Sequence, residues 1–195
     1  MDDLLIRDFS KLGNSARDNF ASAMGSTKLA EAIATDSRLE SRAMERVYLA
    51  NSVNVRHGAG SPLERRVAAA YVAEPDRIER LCGLALHSHF LRTIVEGAAF
   101  QKLSGRFDLK ELAIACSLAD VVPAQIGNQI DMERLGELVA MAGRNCVIGW
   151  FLTLPDGLAS EIEVSMVGDR LARVEGGMQV QPAVARRIVE AVVSR

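Results

Sequence analysis

Apolar residues recur at helical spacing along most of the chain, most densely over residues 76–96. Placed at helical steps, Ile78, Cys82 and Leu86 fall on one side of this segment. Leu81 and further apolar residues fall on the other side, so little of the circumference is polar. A helix that is apolar nearly all round belongs at the centre of a domain. The pattern therefore predicts a central core helix over residues 76–96.

The longest predicted helix follows Asp131, a residue type that favours helix N-caps, and runs from residue 132 to about residue 154. Apolar residues recur along it at heptad-like spacing. Gly136, Gly143 and Gly149 lie on roughly one face, where a neighbouring helix could approach closely. The residues predicted to form the core of these two helices are Leu81, Cys82, Leu86, Phe90, Leu91, Ile94, Leu135, Val139, Cys146 and Trp150.

Capping and helix-start signals predict further helices. Ser61 and Pro62 suit the N-cap and the first position of one helix. Asp108 suits the N-cap of a second, and Thr27 that of an earlier one. Pro182 begins a closing helix. The greater part of the chain is therefore expected to be helical.

The hydrophobic period changes near the C-terminus. Residues 161–166 alternate between polar and apolar, and Gly168-Asp169 suits the turn of a two-residue hairpin. Residues 170–174 can return as the second strand. The pattern predicts a small antiparallel β-hairpin over residues 161–174.

The predicted fold class is mainly α: a compact multi-helix domain with a small antiparallel β-hairpin near the C-terminus. A chain of 195 residues has the size of about one domain and can bury a sizeable core. Glycine and serine punctuate residues 1–26, which we expect to form a partly mobile N-terminal arm. Residues 27–195 are expected to form one helical domain.

The composition excludes several classes of protein. With 49% hydrophobic and 25% charged residues, the chain is neither disordered nor fibrous. A net charge of -2 argues against a nucleic-acid-binding protein. The longest stretches without a charged residue, 81–91 and 145–155, are far shorter than the roughly 20 residues that cross a bilayer. We therefore expect neither nucleic-acid binding nor direct membrane insertion.

Cysteine usage and the N-terminus bear on the compartment. Cys82, Cys116 and Cys146 are odd in number, widely spaced and embedded in apolar segments. This pattern argues against a disulfide framework or a zinc site and favours a reducing compartment. The first residues are acidic and no signal-peptide core follows them. A cytoplasmic location is expected.

Histidines and glycines give no convincing metal or phosphate site. His87 and His89 lie two positions apart on a predicted helix, so their imidazoles diverge and cannot share one ion. Gly58 and Gly60 precede Ser-Pro and lack the third glycine of a phosphate-binding loop. We therefore expect no metal ligand, no cofactor-binding residue and no cofactor.

The candidates for acid–base and nucleophilic catalysis are equally weak. Glu161 and Glu163 form a carboxylate pair on one face of the predicted strand, but a solvated strand face explains them better. No G-x-S-x-G motif occurs, and nothing in the sequence brings His57 near a serine. No catalytic residue is predicted, so the chain is expected not to be an enzyme.

Charged residues near element ends are the remaining candidates for function. Arg65, Arg66 and the pair Arg186-Arg187 lie near predicted helix starts, where solvated helix faces explain them. A helix-turn-helix interpretation of residues 109–130 fails, because residues 123–128 make a poor recognition helix. If the protein binds another protein, we predict contacts at these four residues: Glu161, Glu163, Arg65 and Arg66.

One arrangement resembles a known family. The stretch Arg-Ile-Glu-Arg-Leu-Cys-Gly-Leu-Ala-Leu at residues 77–86 continues through Phe-Leu-Arg at 90–92 to Lys-Leu at 102–103. Gly-Trp-Phe-Leu-Thr-Leu-Pro follows at 149–155, before the alternating segment. Together these stretches are similar to type III secretion accessory proteins of the SctK group (YscK/OrgA/MxiK-like), over about residues 76–167.

The resemblance implies a function without chemistry. It indicates a non-enzymatic cytosolic adaptor in the sorting platform of a bacterial type III secretion system. Such a protein links other secretion-apparatus proteins, so protein partners are expected and oligomeric state is left open. The alternative is an enzyme or small-ligand-binding helical protein whose pocket forms only in three dimensions.

Overall fold

A computed structural model describes residues 14–36, 39, 43, 46–47, 60–94, 97–123, 132–165 and 179–195. All regular elements within these ranges are helices, which confirms the prediction of a mainly α protein. The helices, in chain order, are α1 (Asn14–Met24), α2 (Thr27–Thr35), α3 (Pro62–Ala73), α4 (Pro75–Leu86), α5 (Ser88–Leu91), α6 (Gly97–Ser104), α7 (Leu109–Ser117), α8 (Leu135–Phe151), α9 (Asp156–Ser165) and α10 (Pro182–Val193), with a 3-10 helix at Ala119–Val121.

The predicted β-hairpin is wrong where the structure describes it. Residues 161–165, expected as the first strand, are the C-terminal half of α9, and no described residue forms a strand. The buried side chains of α9 include Leu158, Glu161, Ile162 and Ser165, which have the spacing of one helix face. Alternation over a short stretch was a coincidence of this helical pattern. The remainder of the predicted hairpin, residues 166–174, lies outside the described residues.

The chain divides into two compact units. Unit 1 comprises residues 1–73 and 154–170 and contains α1, α2, α3 and α9. Unit 2 comprises residues 74–153 and 171–195 and contains the other helices. Part of the expected N-terminal arm is the helix α1, and the assignment of residues 27–195 to one domain stays a prediction.

One apolar cluster of unit 1 is built mostly from short side chains. Ala16 and Phe20 of α1 pack with Ala30 of α2 and Val164 of α9. Phe20 is the largest side chain of this cluster and is almost fully buried. The contribution of α9 shows that the core of unit 1 draws on two distant segments of the chain.

Local capping explains where the helices of unit 1 begin. Ser26, rather than the predicted Thr27, caps α2, and its Oγ accepts a hydrogen bond from the Leu29 N–H at 3.3 Å. The prediction for α3 is confirmed, with Pro62 as its first residue. Ser61 Oγ accepts from the N–H of the residue three positions later at 3.2 Å, as a helix N-cap does.

In unit 2, α4 crosses α8 with the two backbones in contact. A methyl group at Gly83 would lie 2.8 Å from the Val139 carbonyl carbon, and one at Gly143 would lie 2.7 Å from the Glu79 carbonyl carbon. The pairing of residue 83 with 139 and of 79 with 143 makes the two helices antiparallel. Only glycine allows this approach, as the sequence predicted for Gly143.

The glycines of α8 that the sequence placed on one face have different surroundings. Gly149 faces α10, because a methyl group there would lie 2.9 Å from the Ala185 Cβ. No heavy atom lies within 4 Å of the corresponding position at Gly136, which is exposed. The helix begins at Leu135, three residues later than predicted, and ends at Phe151.

The predicted core helix over residues 76–96 is shorter than expected. It ends at Leu86, and His87 forms a turn before the short helix α5. Every residue from 81 to 86 is buried, so the prediction of a central helix is confirmed over α4. Of the predicted core residues, Phe90 and Ile94 are only partly buried. The buried ones are Leu81, Cys82, Leu86, Leu91, Leu135, Val139, Cys146 and Trp150.

Helices α5 to α8 surround a second apolar cluster. The Asp108 side chain accepts from the Lys110 N–H at 2.6 Å and caps α7, as predicted. The apolar face of α7, with Leu112 and Ala115, packs against Leu84 of α4. The cluster is built from Leu84, Leu91, Leu103, Phe107, Leu112, Ala115, Leu135 and Val139.

Candidate functional site

The structure joins two of the four predicted contact residues in an ion pair within unit 1. Arg65 of α3 and Glu161 of α9 meet at 3.4 Å, from guanidinium nitrogen to carboxylate oxygen. Glu161 is 1% exposed and Arg65 is 18% exposed. A buried carboxylate requires such a partner, because its desolvation is costly. This pair holds α3 against α9.

Hydrogen bonds and a close contact with α9 fix the start of α3. The Ser61 N–H donates to Glu64 Oε2 at 2.6 Å and completes the capping box, and Glu64 is itself buried. Gly60 has a φ of +70°, and a methyl group there would lie 2.8 Å from the Leu158 side chain. This glycine therefore serves a left-handed turn and a close approach to α9 rather than a phosphate site.

Glu163 and Arg66, the other two predicted contact residues, are exposed. On a helix, positions 161 and 163 point about 200° apart, so one carboxylate is buried and the other is not. The expectation that Glu161 and Glu163 share one face fails with the β-strand. Within the described part of the chain, neither the Arg66 nor the Glu163 side chain makes a hydrogen bond or an ion pair.

The outward side of α3 carries little charge. Its residues fall within about 120° of the helix circumference, and Arg66 is the charged residue among them. Leu63 is 38% exposed although its side chain is large and apolar. We call this surface the α3 face; it consists of Leu63, Arg66, Ala69, Ala70 and Ala73. The opposite side of α3 buries Glu64, Val67, Ala68 and Tyr71.

Unit 2 contains buried polar groups that lack hydrogen bonds. His87 is 3% exposed, and neither of its ring nitrogens has a hydrogen-bond partner. The Oγ of Ser88 is buried and also without one. Burial lowers the pKa of His87, and the nearby backbone of Leu138 opposes that shift in part, without a hydrogen bond of good geometry. His87 is therefore neutral at pH 7.

His89 lies in a different environment from His87. Its Nε2 lies 2.9 Å from the Val122 carbonyl oxygen and donates to it, which fixes the tautomer. Within the described ranges, no group of three or more His, Cys, Asp or Glu residues could hold a metal ion.

The cysteines of unit 2 are thiols. Cys82 and Cys146 are fully buried, and interaction with the Cys146 thiol, together with burial, raises the pKa of Cys82 well above its usual value. Burial also raises the pKa of the half-buried Cys116, and Arg92 opposes it. At neutral pH Cys82 and Cys116 are therefore protonated, and a thiol reacts far more slowly than a thiolate.

A bidentate ion pair that the sequence did not indicate links α4 to α7. Arg80 Nε and Nη2 donate to the Glu111 carboxylate at distances from 2.7 to 3.1 Å. The hydrogen bond to Glu111 raises the pKa of Arg80. Because the partners lie 31 positions apart, no local pattern could have revealed the pair.

Comparisons with known proteins identify no relative. The chain matches no known protein family, no curated protein and no solved structure.

No described helix has both the length and the apolar character needed to cross a membrane.

Proposed function

We propose that this chain is a non-enzymatic adaptor that binds another protein through the α3 face. The observation that carries the proposal is the exposure of Leu63 beside Arg66 on a helix side with little other polarity. A surface helix normally directs charged and polar residues outwards. An outward side of leucine, alanine and a single arginine is instead typical of a surface that a partner covers.

The residues of the α3 face suit a helical partner. Alanines at positions 69, 70 and 73 allow a second helix to lie close to the backbone of α3. Leu63 and Arg66 supply an apolar and a cationic anchor, and a few such anchors dominate binding energy. The partner chemistry that fits is an amphipathic helix with an apolar stripe and a carboxylate opposite Arg66.

The four predicted contact residues have different roles in this proposal. Arg66 belongs to the α3 face and is exposed, so it is the predicted residue that touches the partner. Glu163 is exposed on the side of α9 away from Glu161, so it is not part of this surface. Arg65 and Glu161 fix α3 against α9 through their ion pair and so position the α3 face. The partner is a protein; nucleic acid and membrane insertion have no part in the function.

The narrower proposal concerns the identity of the partner. The similarity of residues 77–103 to the SctK group favours a cytoplasmic component of a bacterial type III secretion sorting platform. The second stretch of similarity supports this less, because the strand expected after residue 155 is the helix α9. The narrower proposal therefore rests on the first stretch.

Site-specific photo-cross-linking in the source cells tests the adaptor proposal. A photo-reactive amino acid replaces Ala69 on the α3 face, and in a matched chain it replaces Ala183, an exposed alanine of α10. We expect a discrete protein adduct from position 69 and none of the same mass from position 183. Leu63→Asp should abolish the adduct, and Arg66→Glu should reduce it severalfold.

The outcomes separate the two levels of the proposal. Identical adducts from both positions, or an adduct that survives Leu63→Asp in a folded chain, would contradict the α3 face as the contact surface. An adduct whose partner is not a secretion component contradicts only the narrower proposal. No adduct, together with a small molecule that raises the unfolding midpoint, would favour the ligand-binding alternative, for which the buried His87 and Ser88 are the candidates.

A further inference from the structure

Unit 2 holds two thiols together at the closest point between two helices. Cys82 of α4 and Cys146 of α8 are both 0% exposed, and the Cys146 thiol contributes to the raised pKa of Cys82. The Cys146 Sγ also lies 4.0 Å from the Ala185 carbonyl oxygen of α10. The adaptor proposal makes no use of this pair, so it needs its own explanation.

The glycines at the crossing bring the thiols within reach of each other. The Gly83 nitrogen lies 3.0 Å from the position a Cβ would take on Gly143. Cys82 is the neighbour of Gly83, and Cys146 lies one helical turn from Gly143 on the same side. The Cα atoms of a helix lie about 2.3 Å from its axis, so facing Cα atoms of helices with axes about 8–10 Å apart lie about 3.4–5.4 Å apart. A disulfide requires Cα atoms about 4.4–6.8 Å apart, a span that residues beside a backbone contact between two helices can meet.

We propose that Cys82 and Cys146 form a reversible disulfide that cross-links α4 to α8 when the protein meets an oxidised small-molecule disulfide such as oxidised glutathione. The third thiol, Cys116 on α7, is only half buried and takes no part in the bond. The site is thus a specific oxidation site within the core of unit 2. It is independent of the α3 face, which belongs to unit 1.

The reaction is a two-step thiol–disulfide exchange. One cysteine thiolate attacks a sulfur of the small disulfide, which forms a mixed disulfide and releases one small thiolate. The second cysteine thiolate then attacks the protein sulfur of the mixed disulfide, which forms the Cys82–Cys146 bond and releases the second thiolate. Each cysteine loses one proton, and the two electrons end on the small molecule as two reduced thiols.

Burial decides the rate of this exchange but not its equilibrium. Inside the closed fold both thiols are shielded from a reagent the size of glutathione, so the exchange proceeds from transiently opened unit 2 or before folding is complete. In the closed fold the two thiols are held side by side, which favours the Cys82–Cys146 disulfide over a mixed disulfide of either cysteine with the small molecule. The native geometry therefore sets how much of the disulfide is present at equilibrium.

The test compares the disulfide equilibrium in the folded and the unfolded chain. The Cys116→Ser variant retains only Cys82 and Cys146 as thiols. It is equilibrated in mixtures of reduced and oxidised glutathione, with and without concentrated urea, and then acid-quenched, alkylated and weighed by mass spectrometry. By thermodynamic linkage, folding favours the disulfide by the same free energy by which the disulfide stabilises the folded chain. We expect the equilibrium constant to be about 30-fold or more higher without urea than with it.

The matched control is Cys146→Ser, which leaves Cys82 and Cys116 as its thiols. We expect its intramolecular disulfide to gain nothing on folding. If circular dichroism shows that this variant is unfolded, Cys82→Ser serves as the control in the same way. An equilibrium constant for Cys116→Ser that is equal or lower without urea overturns the proposal, and so does an equal gain in a folded control.

Discussion

The α4–α8 crossing of unit 2 and the α3–α9 contact of unit 1 are held by opposite means. At the crossing, Gly83 and Gly143 have no side chains, so two backbones meet directly. At the other contact, the long side chains of Arg65 and Glu161 join the helices through a charge pair. Steric fit and dispersion dominate the first, whereas compensation of a buried charge dominates the second.

The two contacts should therefore fail in different ways. A contact between backbones has no room for added atoms, but it is insensitive to pH and salt. A buried charge pair tolerates small changes of shape but not the loss of one partner. Substitutions matched to each mechanism can break one contact and leave the other intact.

The largest effect is expected at the crossing. Gly143→Ala places a methyl group 2.7 Å from the Glu79 carbonyl carbon, so the helices must separate. We expect a loss of about 3 kcal/mol in the free energy of unfolding, measured by urea titration. Gly136→Ala, in the same helix but with no heavy atom within 4 Å, is the matched control. It should stabilise the protein by up to about 1 kcal/mol, through helix propensity.

Equal effects of the two glycine substitutions would contradict the crossing. In particular, a Gly143→Ala chain as stable as the wild type would mean that the backbones of α4 and α8 are not in contact.

A smaller loss is expected at the ion pair. Arg65→Met keeps most of the side-chain volume and leaves the Glu161 carboxylate without its guanidinium, which should cost about 2 kcal/mol. Adding Glu161→Gln to Arg65→Met should restore about half of that loss, since position 161 then carries no buried charge. Urea titrations of the two single variants and the double variant measure the coupling. Strictly additive effects would show that the pair contributes no coupling.

The buried His87 should make the stability of unit 2 depend on pH. Its pKa is lowered in the folded protein, so below the ordinary value of 6.5 the unfolded chain binds the extra proton. The contribution of neutral His87 is therefore fully present above pH 6.5 and decreases as the pH falls through that value towards the lowered pKa. The decrease cannot exceed about 1.4 kcal/mol per pH unit for one group.

The His87→Gln variant isolates this contribution. We expect the difference in unfolding free energy between wild type and variant to change between about pH 7.5 and pH 5.5, in favour of the variant at the lower pH. A difference that stays constant over this range would show that His87 has the same pKa in both states.

The smallest effect is expected at the exposed bidentate pair. Arg80→Lys keeps the charge but loses the paired hydrogen bonds to Glu111, and Arg80 is 44% exposed. We expect a loss of about 0.5 kcal/mol that shrinks further in high salt. Thermal unfolding at low and high ionic strength measures this loss of stability. A loss that is the same at both ionic strengths would contradict an electrostatic role.

Much of unit 2 and the helix starts could be predicted from sequence. Ser61, Asp108 and Pro182 act within their own helical turn, so their local sequence carries the whole signal. The all-round apolar character of α4 predicted its burial, and Gly143 predicted a close approach. These features depend on residue type and spacing alone.

The failure at α9 has a physical cause in the burial of polar residues. The helical stripe of α9 includes Glu161 and Ser165, which a sequence pattern counts as exposed. Glu161 is buried because Arg65, 96 residues earlier, compensates its charge, and Ser165 Oγ donates to the Glu161 carbonyl oxygen at 2.6 Å. The sequence pattern alone does not reveal these partners, and the remaining apolar residues of the segment happen to alternate. The candidate site depended on the same pair and was therefore only partly predictable.

The composition of unit 1 from two separate segments has a consequence for synthesis on the ribosome. Arg65 emerges 96 residues before Glu161, an interval of roughly 5–20 s at typical rates of translation. During that time α3 has no α9 to pack against, whereas α8 is complete 10 residues before Glu161 and can then cross α4. A nascent chain that stops at residue 153 lacks the last helix of each unit, so neither can close until the final segment has been made.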